Sequence, residues 1–246
     1  MSPPANLPQR IGGALARVPP AYWLVARTLR AIGVRRRPRQ INRYLERHAH
    51  RRLRLGSGRH TDPGWLSGDF LPVSPRVVYL DVTESFPLPA DSFDIVHCEH
   101  VIEHISYEQG LFMLRECHRV LRAGGILRIA TPDLALVGRL ITQGGGDPAL
   151  LEYVRWSNEN YGTEAERLDP ANAAFAANRL VRNWGHTFIY DAATLRAALE
   201  SAGFRDVLGV TPGSSSHLEL RGIDRHQEEI GEAANELETL AYEATA

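Results

Sequence analysis

The middle of the chain alternates short apolar runs with turn-forming and helical segments, and this alternation constrains the fold more than any other feature. Residues 52–55, 77–81, 93–98 and 126–131 have the length and apolar content of buried strands. Residues 107–122 carry apolar side chains at helical spacing. Strands that alternate with helices predict an α/β fold, in which a mostly parallel sheet carries helices on both faces.

Polar and glycine residues follow several of these predicted strands, at the edge where an open parallel sheet binds its ligands. They are Gly56, Ser57, Gly58, Asp69, Asp81, Glu99 and Asp133. A glycine turn lets the backbone approach a ligand closely, and a carboxylate after the next strand suits the ribose hydroxyls of a nucleotide-like cofactor. A Gly-x-Gly can also be only a tight turn, but its convergence with the carboxylates favours a cofactor site.

Composition excludes several classes of protein. The length of 246 residues fits one α/β domain with additions. All 28 basic residues are arginine, yet the net charge is −1, which disfavours a general nucleic-acid binder. Cys98 and Cys117 lack metal-type spacing, so we expect a reducing, cytoplasmic setting. We expect neither a membrane span, which needs roughly 18 apolar residues, nor a signal peptide.

Changes in composition divide the chain into three parts. Residues 1–50 are predicted to form an arginine-rich helical cap or arm, whose basic face could touch a membrane surface or a partner, or could simply be solvated. Residues 51–223 would form the main domain, with 134–185 as a helical insertion that covers the substrate. Residues 224–246 are rich in glutamate and are predicted to be an acidic helix or tail, packed on the N-terminal segment or solvated.

Several motifs between residues 52 and 210 occur together in one known family. They are Leu55-Gly-Ser-Gly58, Gly64-Trp65, Phe93-Asp-Ile-Val96, His100-Val-Ile-Glu-His104, Leu114 to Gly125, Thr131-Pro-Asp133 and Ala202-Gly-Phe204. With these motifs the chain resembles the class I S-adenosylmethionine-dependent methyltransferases, type 11, and within them predicted methyltransferases of glycan and small-molecule pathways. The resemblance implies a Rossmann-like, mostly parallel sheet of seven strands with a helical insertion or lid. It also implies S-adenosylmethionine as the cofactor.

The resemblance assigns the residues that would bind this cofactor. They are Gly56, Ser57 and Gly58 under the methionine part and ribose, Asp69 at the ribose hydroxyls, Asp81 and Val82 beside the adenine, and Glu99 and His100 at the sulfonium end. Arg59, His60 and Thr61 follow Gly58, so the third glycine of the fuller Gly-x-Gly-x-Gly pattern is missing. The same gap counts against a dinucleotide site, which needs Gly-x-Gly-x-x-Gly.

The segment from His100 to His104 also matches H-x-x-E-H, a motif found in zinc peptidases. A catalytic zinc site needs a third ligand and a helix in the right context. Here the motif follows a buried strand, as it does in the methyltransferases. We therefore predict no metal ligands, although a divalent ion is possible, and we expect His104 to have a structural role or to lie on the substrate side.

His186 and Asp133 are the candidate catalytic residues. A hydroxyl acceptor is a weak nucleophile at neutral pH, so a base helps to remove its proton, and histidine has a suitable pKa. His186 directly follows the insertion and could be this base, or it could fix a glycine turn by hydrogen bonds. Asp133 could orient a base or bind an ion with the substrate, or it could cap a helix after Pro132.

Aromatic residues of the insertion complete the predicted site. Tyr153, Trp156 and Trp184 could stack on a sugar or another ring, or could pack within the protein. The resulting hypothesis is methyl transfer from S-adenosylmethionine to a small polar acceptor, chiefly a hydroxyl oxygen of a saccharide, by in-line displacement. The alternatives are an RNA methyltransferase and a non-catalytic scaffold that binds the cofactor. Nucleic acid is not an expected partner, and a homodimer is possible.

Overall fold

The computed structural model describes residues 20–143 and 146–246 of the chain. The strands are β1 Arg52–Leu55, β2 Trp65–Asp69, β3 Val78–Tyr79, β4 Phe93–Glu99, β5 Leu121–Pro132, β6 Arg205–Val210 and β7 Thr239–Thr245. The helices are α1 Pro20–Arg47, α2 Tyr107–Val120, α3 Leu134–Gln143, α4 Pro148–Tyr161, α5 Glu164–Arg167, α6 Ala173–Arg182, α7 Ala192–Ser201, α8 His226–Ile230 and α9 Glu232–Glu238. Short 3₁₀ turns span Ile102–His104 and Leu218–Leu220.

The seven strands form one sheet in the order β3-β2-β1-β4-β5-β7-β6. The pairs from β3 to β5 are parallel, whereas β7 lies antiparallel between β5 and β6. This arrangement confirms the predicted seven-stranded, mostly parallel, Rossmann-like sheet. The strand order reverses between β1 and β4, so their carboxyl ends frame the crevice where such sheets bind ligands.

The first two connections of the sheet are shorter than the alternating pattern suggested. Residues 56–64 and 70–77, all of which the structure describes, contain no helix, so loops join β1 to β2 and β2 to β3. Helix α1 packs on this end of the sheet instead, with Ile41 and Tyr44 buried in the main core. The Tyr44 hydroxyl donates to the carbonyl oxygens of Arg52 and Gly64 at 3.0 and 2.9 Å, which fixes the helix to β1 and to the loop after it.

The outer side of α1 keeps the exposed arginines that the sequence suggested. Arg35, Arg36 and Arg39 line a shallow groove of about 310 Å³ together with Gln40 and Pro75. Arg30 is held differently, because its guanidinium lies 4.0 Å from the ring centroid of Phe70 and binds the Tyr79 hydroxyl. Among the described helices, none is both long and apolar enough to cross a membrane.

One face of the sheet is apolar and carries the main core. Side chains alternate between the faces of a strand, and on this face the central strands contribute Leu53, Leu55, Val96, Cys98, Leu127 and Ile129. Helices α2 and α7 cover them with Met113, Leu114, Leu195 and Leu199. Helix α2 starts at a capping box, in which the Ser106 hydroxyl accepts from the Gln109 amide and the Gln109 side chain accepts from the Ser106 amide.

The opposite face is polar and nevertheless buried. It presents Arg54, Ser67, His97, Arg128 and Glu243, each less than 9% exposed. Residues 211–225 cover this face, where Leu220 and Ile223 pack on Ile95. Asp224 lies directly over the strands and its carboxylate accepts hydrogen bonds from Arg128 and His97. The second layer here is therefore an irregular segment held by ion pairs.

The insertion after β5 forms a helical unit with its own core. Leu136, Leu140, Leu150, Val154 and Leu180 are buried together between α3, α4 and α6. The chain leaves the sheet at Asp133 and returns beside it at Tyr190, and these two residues form a single parallel bridge. Residues 185–190 have the sequence pattern of a strand, but among them only Tyr190 pairs.

The C-terminal prediction is wrong beyond Glu238. Residues 226–238 form the short helices α8 and α9, but Thr239–Thr245 is β7, which pairs with both β5 and β6. Because β7 is part of the sheet, residues 224–246 belong to the main domain and do not form a separate acidic tail. Helix α9 packs with Ala234 and Leu237 on the insertion core.

Candidate active site

The glycine turn after β1 is tied to the end of β2. The Gly58 amide donates to Oδ2 of Asp69 at 2.8 Å, and the Leu71 amide donates to Oδ1 of the same carboxylate at 2.8 Å. The Ser57 amide donates to the Gly68 carbonyl oxygen. Asp69 thus shapes the turn that the sequence assigned to a cofactor, in addition to any contact with a ribose.

Position 56 requires glycine for two reasons. Its φ is +65°, and Gly58 has a φ of +57°, both in the left-handed region that side chains disfavour. A Cβ at position 56 would also overlap Cγ2 of Val101. Val101 lies inside the H-x-x-E-H segment, so this segment packs directly on the glycine turn.

The predicted adenine-side residues lie after β3 in a well-ordered turn. Oδ1 of Asp81 accepts from the Thr83 amide at 3.0 Å and from the Thr83 hydroxyl at 2.7 Å. Val82 is half-buried and packs against the main core. The Leu80 amide donates to the Asp69 carbonyl oxygen, which joins this turn to the end of β2.

Glu99 does not have the environment that the sequence suggested. Both of its carboxylate oxygens accept from the Arg225 amide, at 2.8 and 2.9 Å, and Oε1 also accepts from the His226 amide. The Arg225 side chain continues across the glycine loop to Asp62, at 2.6 Å, and to His60. In this arrangement Glu99 anchors the segment before α8, which does not support its direct contact with a cofactor.

Glu103 organises the histidines that follow β4. It is fully buried, and its Oε1 lies 3.0 Å from Nδ1 of His100 and 3.8 Å from Nε2 of His104. Oε2 accepts from the Thr131 hydroxyl at 3.1 Å. The carbonyl oxygen of Glu103 accepts from the Thr187 and Phe188 amides, which holds the strand-like segment of His186 against the motif.

The charges in this cluster are mutually adjusted. Burial opposes the charge of Glu103, but the hydrogen bond from His100 and the nearby histidines lower the pKa of its carboxyl to about 2. Burial likewise opposes protonation of His100, but the hydrogen bond and charge of Glu103 raise the pKa of its imidazole. Burial lowers the pKa of His104. The structure therefore favours an ionised Glu103. Of its two neighbours, His100 has a raised pKa and His104 a lowered one.

His186 lies next to this cluster. Its ring centroid is 5.1 Å from that of His104 and 5.8 Å from that of Trp184. Its Nδ1 lies 2.5 Å from the Leu180 carbonyl oxygen, so Nδ1 carries the proton and Nε2 keeps a lone pair. This hydrogen bond is of the kind expected if His186 has a structural role. It leaves Nε2 free to accept a proton, so a role as base is also compatible with the structure.

Asp133 has a structural role in the described structure. Its Oδ1 accepts from the Ala135 amide at 2.8 Å at the start of α3, and its amide donates to the Glu238 carbonyl oxygen. Burial raises the pKa of its carboxyl. These contacts correspond to the helix-cap alternative, and a catalytic role for Asp133 stays a prediction.

The aromatic residues of the insertion form a continuous row that ends at His186. Neighbouring ring centroids from Tyr153 through Trp156 and Tyr161 to Trp184 are 5.5 to 5.8 Å apart. Tyr153 is buried and donates its hydroxyl to Glu238 at 2.5 Å, so its predicted contact with substrate is not supported. Trp184 has a φ of +54°, a strained conformation that costs about 1–3 kcal/mol and fixes the ring beside His186.

Three residues of this region were not selected from the sequence. Glu103 stands inside the H-x-x-E-H motif, which could have identified it. His226 stacks on His100 at 3.8 Å between centroids, and its Nε2 lies 3.2 Å from Glu238. Burial opposes the charge of Glu238, but hydrogen bonds from His226 and Tyr153 lower its pKa. Neither residue had a local signal, because both lie in the stretch taken for an acidic helix.

Comparison with known proteins relates part of the chain to a family of enzymes. Residues 24–129 match the family model described as a methyltransferase domain. Two curated proteins from two strains of Mycobacterium tuberculosis, each described as a probable S-adenosylmethionine-dependent methyltransferase, are 43% identical over 60 residues. This match covers 24% of the chain and 21% of each relative, so it spans about a fifth of the curated relatives' length.

Two solved structures resemble the chain over most of its length. A methyltransferase from Archaeoglobus fulgidus is 18% identical and covers 92% of this chain and 99% of its own, with a TM-score of 0.45. A structure from Thermotoga maritima, described as a possible histamine N-methyltransferase, is 17% identical and covers 92% of this chain and 93% of its own, with a TM-score of 0.43. The fold itself follows from the strand order given above.

Proposed function

We propose that the chain is a class I S-adenosylmethionine-dependent methyltransferase, since residues 24–129 match the model of a methyltransferase domain, and that it transfers a methyl group from this cofactor to a small polar acceptor. We further propose that the acceptor atom is a hydroxyl oxygen of a saccharide or a related metabolite. One observation carries the proposal: Val101, between His100 and Ile102, packs directly on Gly56. The histidine cluster and the glycine turn are therefore immediate neighbours.

The residues present fit the cofactor at the glycine turn. The left-handed Gly56 and Gly58 keep the backbone free of side chains there, and the buried Ser57 hydroxyl has no hydrogen-bond partner within the described structure. A buried unpaired hydroxyl is unfavourable, and a ligand in the turn would supply the partner. Asp69 and Asp81 follow the neighbouring strands, as the family pattern requires, whereas Glu99 serves the segment before α8.

Methyl transfer to oxygen also requires a destination for a proton. When bound, S-adenosylmethionine supplies an electrophilic methyl group: the acceptor oxygen bonds to the methyl carbon while the carbon–sulfur bond breaks, and the electron pair leaves with sulfur. The acceptor proton goes to a base, and Nε2 of His186 has the free lone pair for this purpose. Trp184 and Trp156 lie along the same side and offer rings on which a sugar could stack.

Calorimetry with S-adenosylmethionine tests the proposal most directly. We expect the folded chain to bind one equivalent, and a screen of saccharides and other polar metabolites to reveal methyl incorporation into an acceptor. Absence of cofactor binding by a protein with native circular dichroism would contradict the proposal. Cofactor binding without methyl incorporation into any hydroxyl would contradict only the choice of acceptor.

Substitution of Gly56 by alanine provides a sharper test of the cofactor site. Gly222 is its matched control, since it has the same φ of +65° but no atom within 4 Å of an added Cβ. Alanine in the left-handed region costs about 1–2 kcal/mol at either position. We expect only Gly56→Ala to weaken cofactor binding, by at least about 10-fold (1.4 kcal/mol), because its methyl group must displace Val101. Equal affinities of the two variants in calorimetry would argue against the glycine turn as the site.

A further inference from the structure

The side chains of Glu103, His104 and His186 meet in a way that the methyl-transfer proposal does not require. One potential ligand atom from each residue lies within 4.8 Å of the other two. Two imidazoles with one carboxylate are a common ligand set for divalent first-row transition metals, in which open positions remain for water or substrate. We propose that these three residues bind one such ion, for example Zn²⁺.

The surroundings of the three side chains match those of a metal site. His186 donates Nδ1–H to a backbone carbonyl oxygen, the typical partner that orients a metal-binding histidine and leaves Nε2 for the ion. Glu103 is fully buried, and Thr131 holds one of its carboxylate oxygens while His100 holds the other. Nε2 of His104 lies 3.8 Å from Oε1 of Glu103, close enough for one ion to bind both atoms.

The backbone also brings the ligands together in advance. The amides of Thr187 and Phe188 donate to the Glu103 carbonyl oxygen at 2.7 and 3.2 Å, so the residues after His186 are fixed to the motif. Bonds of about 2.0–2.2 Å to one ion require the three ligand atoms to approach by roughly an ångström. His104 and His186 are each half-buried and can make this adjustment by rotation of their rings.

If the chain is a methyltransferase, as proposed above, the ion would favour acceptors whose oxygen atoms can bind to it. Two imidazoles and one carboxylate leave positions at which an acceptor hydroxyl could bind, and a metal ion lowers the pKa of an oxygen that it binds. An acceptor with two neighbouring oxygens, such as a vicinal diol of a saccharide, would fill two such positions. His186 would then act as a ligand and not as the base, because its one lone pair serves a single purpose, and the metal-bound hydroxyl, whose pKa the ion lowers, would lose its proton to solvent water.

Titration with Co²⁺ tests the site without any acceptor. After chelator treatment and dialysis, the chain should bind one equivalent and develop visible absorption bands of protein-bound Co²⁺. We expect His104→Ala and His186→Ala to weaken binding by more than about 100-fold, whereas His217→Ala, at an exposed histidine of the 211–225 segment, should bind normally. Glu103→Gln keeps the size of the buried side chain and should also weaken the binding.

Two results would overturn the proposal. One is the absence of stoichiometric Co²⁺ binding by the native chain, and the other is binding that His104→Ala and His186→Ala leave unchanged. Calorimetry with S-adenosylmethionine on the same samples separates this proposal from the proposed function. Cofactor binding without metal binding contradicts the metal site alone, and metal binding without cofactor binding contradicts the methyltransferase function alone.

Discussion

Replacement of Asp224 by alanine is expected to lower the free energy of unfolding by about 3–5 kcal/mol. Arg128 is fully buried, and its guanidinium binds the Asp224 carboxylate as well as Oε1 of Glu243 at 3.0 Å. Asp224 also accepts from His97 and from the Gly213 amide. The variant would leave the buried guanidinium with Glu243 but without its other carboxylate, which is far more costly than the loss of an exposed pair. Urea denaturation, followed by circular dichroism, measures the change.

The same covering segment contains a matched control. Glu219 pairs with His50 at 2.7 Å, but about half of each side chain is exposed. Exposed pairs contribute about 0–1 kcal/mol, so Glu219→Ala should change the free energy of unfolding by less than about 1 kcal/mol. Similar small losses for both variants would show that the ion pairs do not hold residues 211–225 on the sheet.

The Asp224 contribution should also depend on pH in a defined direction. Burial opposes its charge, but hydrogen bonds from His97 and Arg128 lower the pKa of its carboxyl well below the usual value. A lowered folded pKa gives stability that is complete above the unfolded pKa, roughly 3.9, and is lost as the pH falls toward the folded value. The difference between native protein and Asp224→Ala should therefore stay constant near neutral pH and shrink below about pH 4.

The polar face of the sheet explains why the sequence predicts one half of the architecture better than the other. Apolar residues alternate with polar ones in β1, at Leu53 and Leu55, and in β4, at Val96 and Cys98. This local pattern is enough to predict strands with one apolar face. The intervening Arg54, His97 and Arg128 are typical of a solvated face, yet they are buried. Asp224, the partner of His97 and Arg128, is 96 residues away from Arg128 along the chain. No local pattern encodes so distant a pairing.

Strand β7 shows the same limit. Leu240, Tyr242 and Ala244 alternate as a strand would, but they follow Glu228 to Glu238, whose charges suggested a solvated helix. The strand is stable only because β5 and β6 pair with it on both sides. In contrast, local sequence was enough to predict the glycine turn, Asp69 and β4. Each of these features depends on residues that are close in the chain and on a short connection between parallel strands.

The candidate site divides in a similar way. Gly56, His100 and His104 were found because they belong to compact motifs, and His186 because it follows the insertion. The contacts of His226 with His100 and Glu238 depend on the path of residues 211–238 over the sheet edge. Tyr153 could from its sequence either stack on a ligand or pack within the protein, and the insertion core buries it. Burial, unlike spacing, is a property of the assembled chain.

His186→Ala is expected to lower turnover by about 10²–10⁴-fold and to leave the affinity for S-adenosylmethionine nearly intact. His186 lies beside His104 and Trp184, whereas the cofactor contacts are assigned to the glycine turn and to the carboxylates after β2 and β3. Formation of S-adenosylhomocysteine with the acceptor found by the metabolite screen measures turnover, and calorimetry measures affinity. His217→Ala, in an exposed loop, is the control and should have native turnover.

Treatment with a chelator distinguishes the two roles of His186, base or metal ligand, either of which would explain a loss of turnover in His186→Ala. If His186 is the base, removal of metal ions from the native chain should leave turnover unchanged, since its lone pair on Nε2 accepts the proton directly. If His186 is a metal ligand, chelation should reproduce the loss seen in His186→Ala, and added Zn²⁺ or Co²⁺ should restore turnover only in the native chain. Native turnover of His186→Ala would exclude both roles, and the hydrogen bond from Nδ1 to the Leu180 carbonyl oxygen would then be its only function.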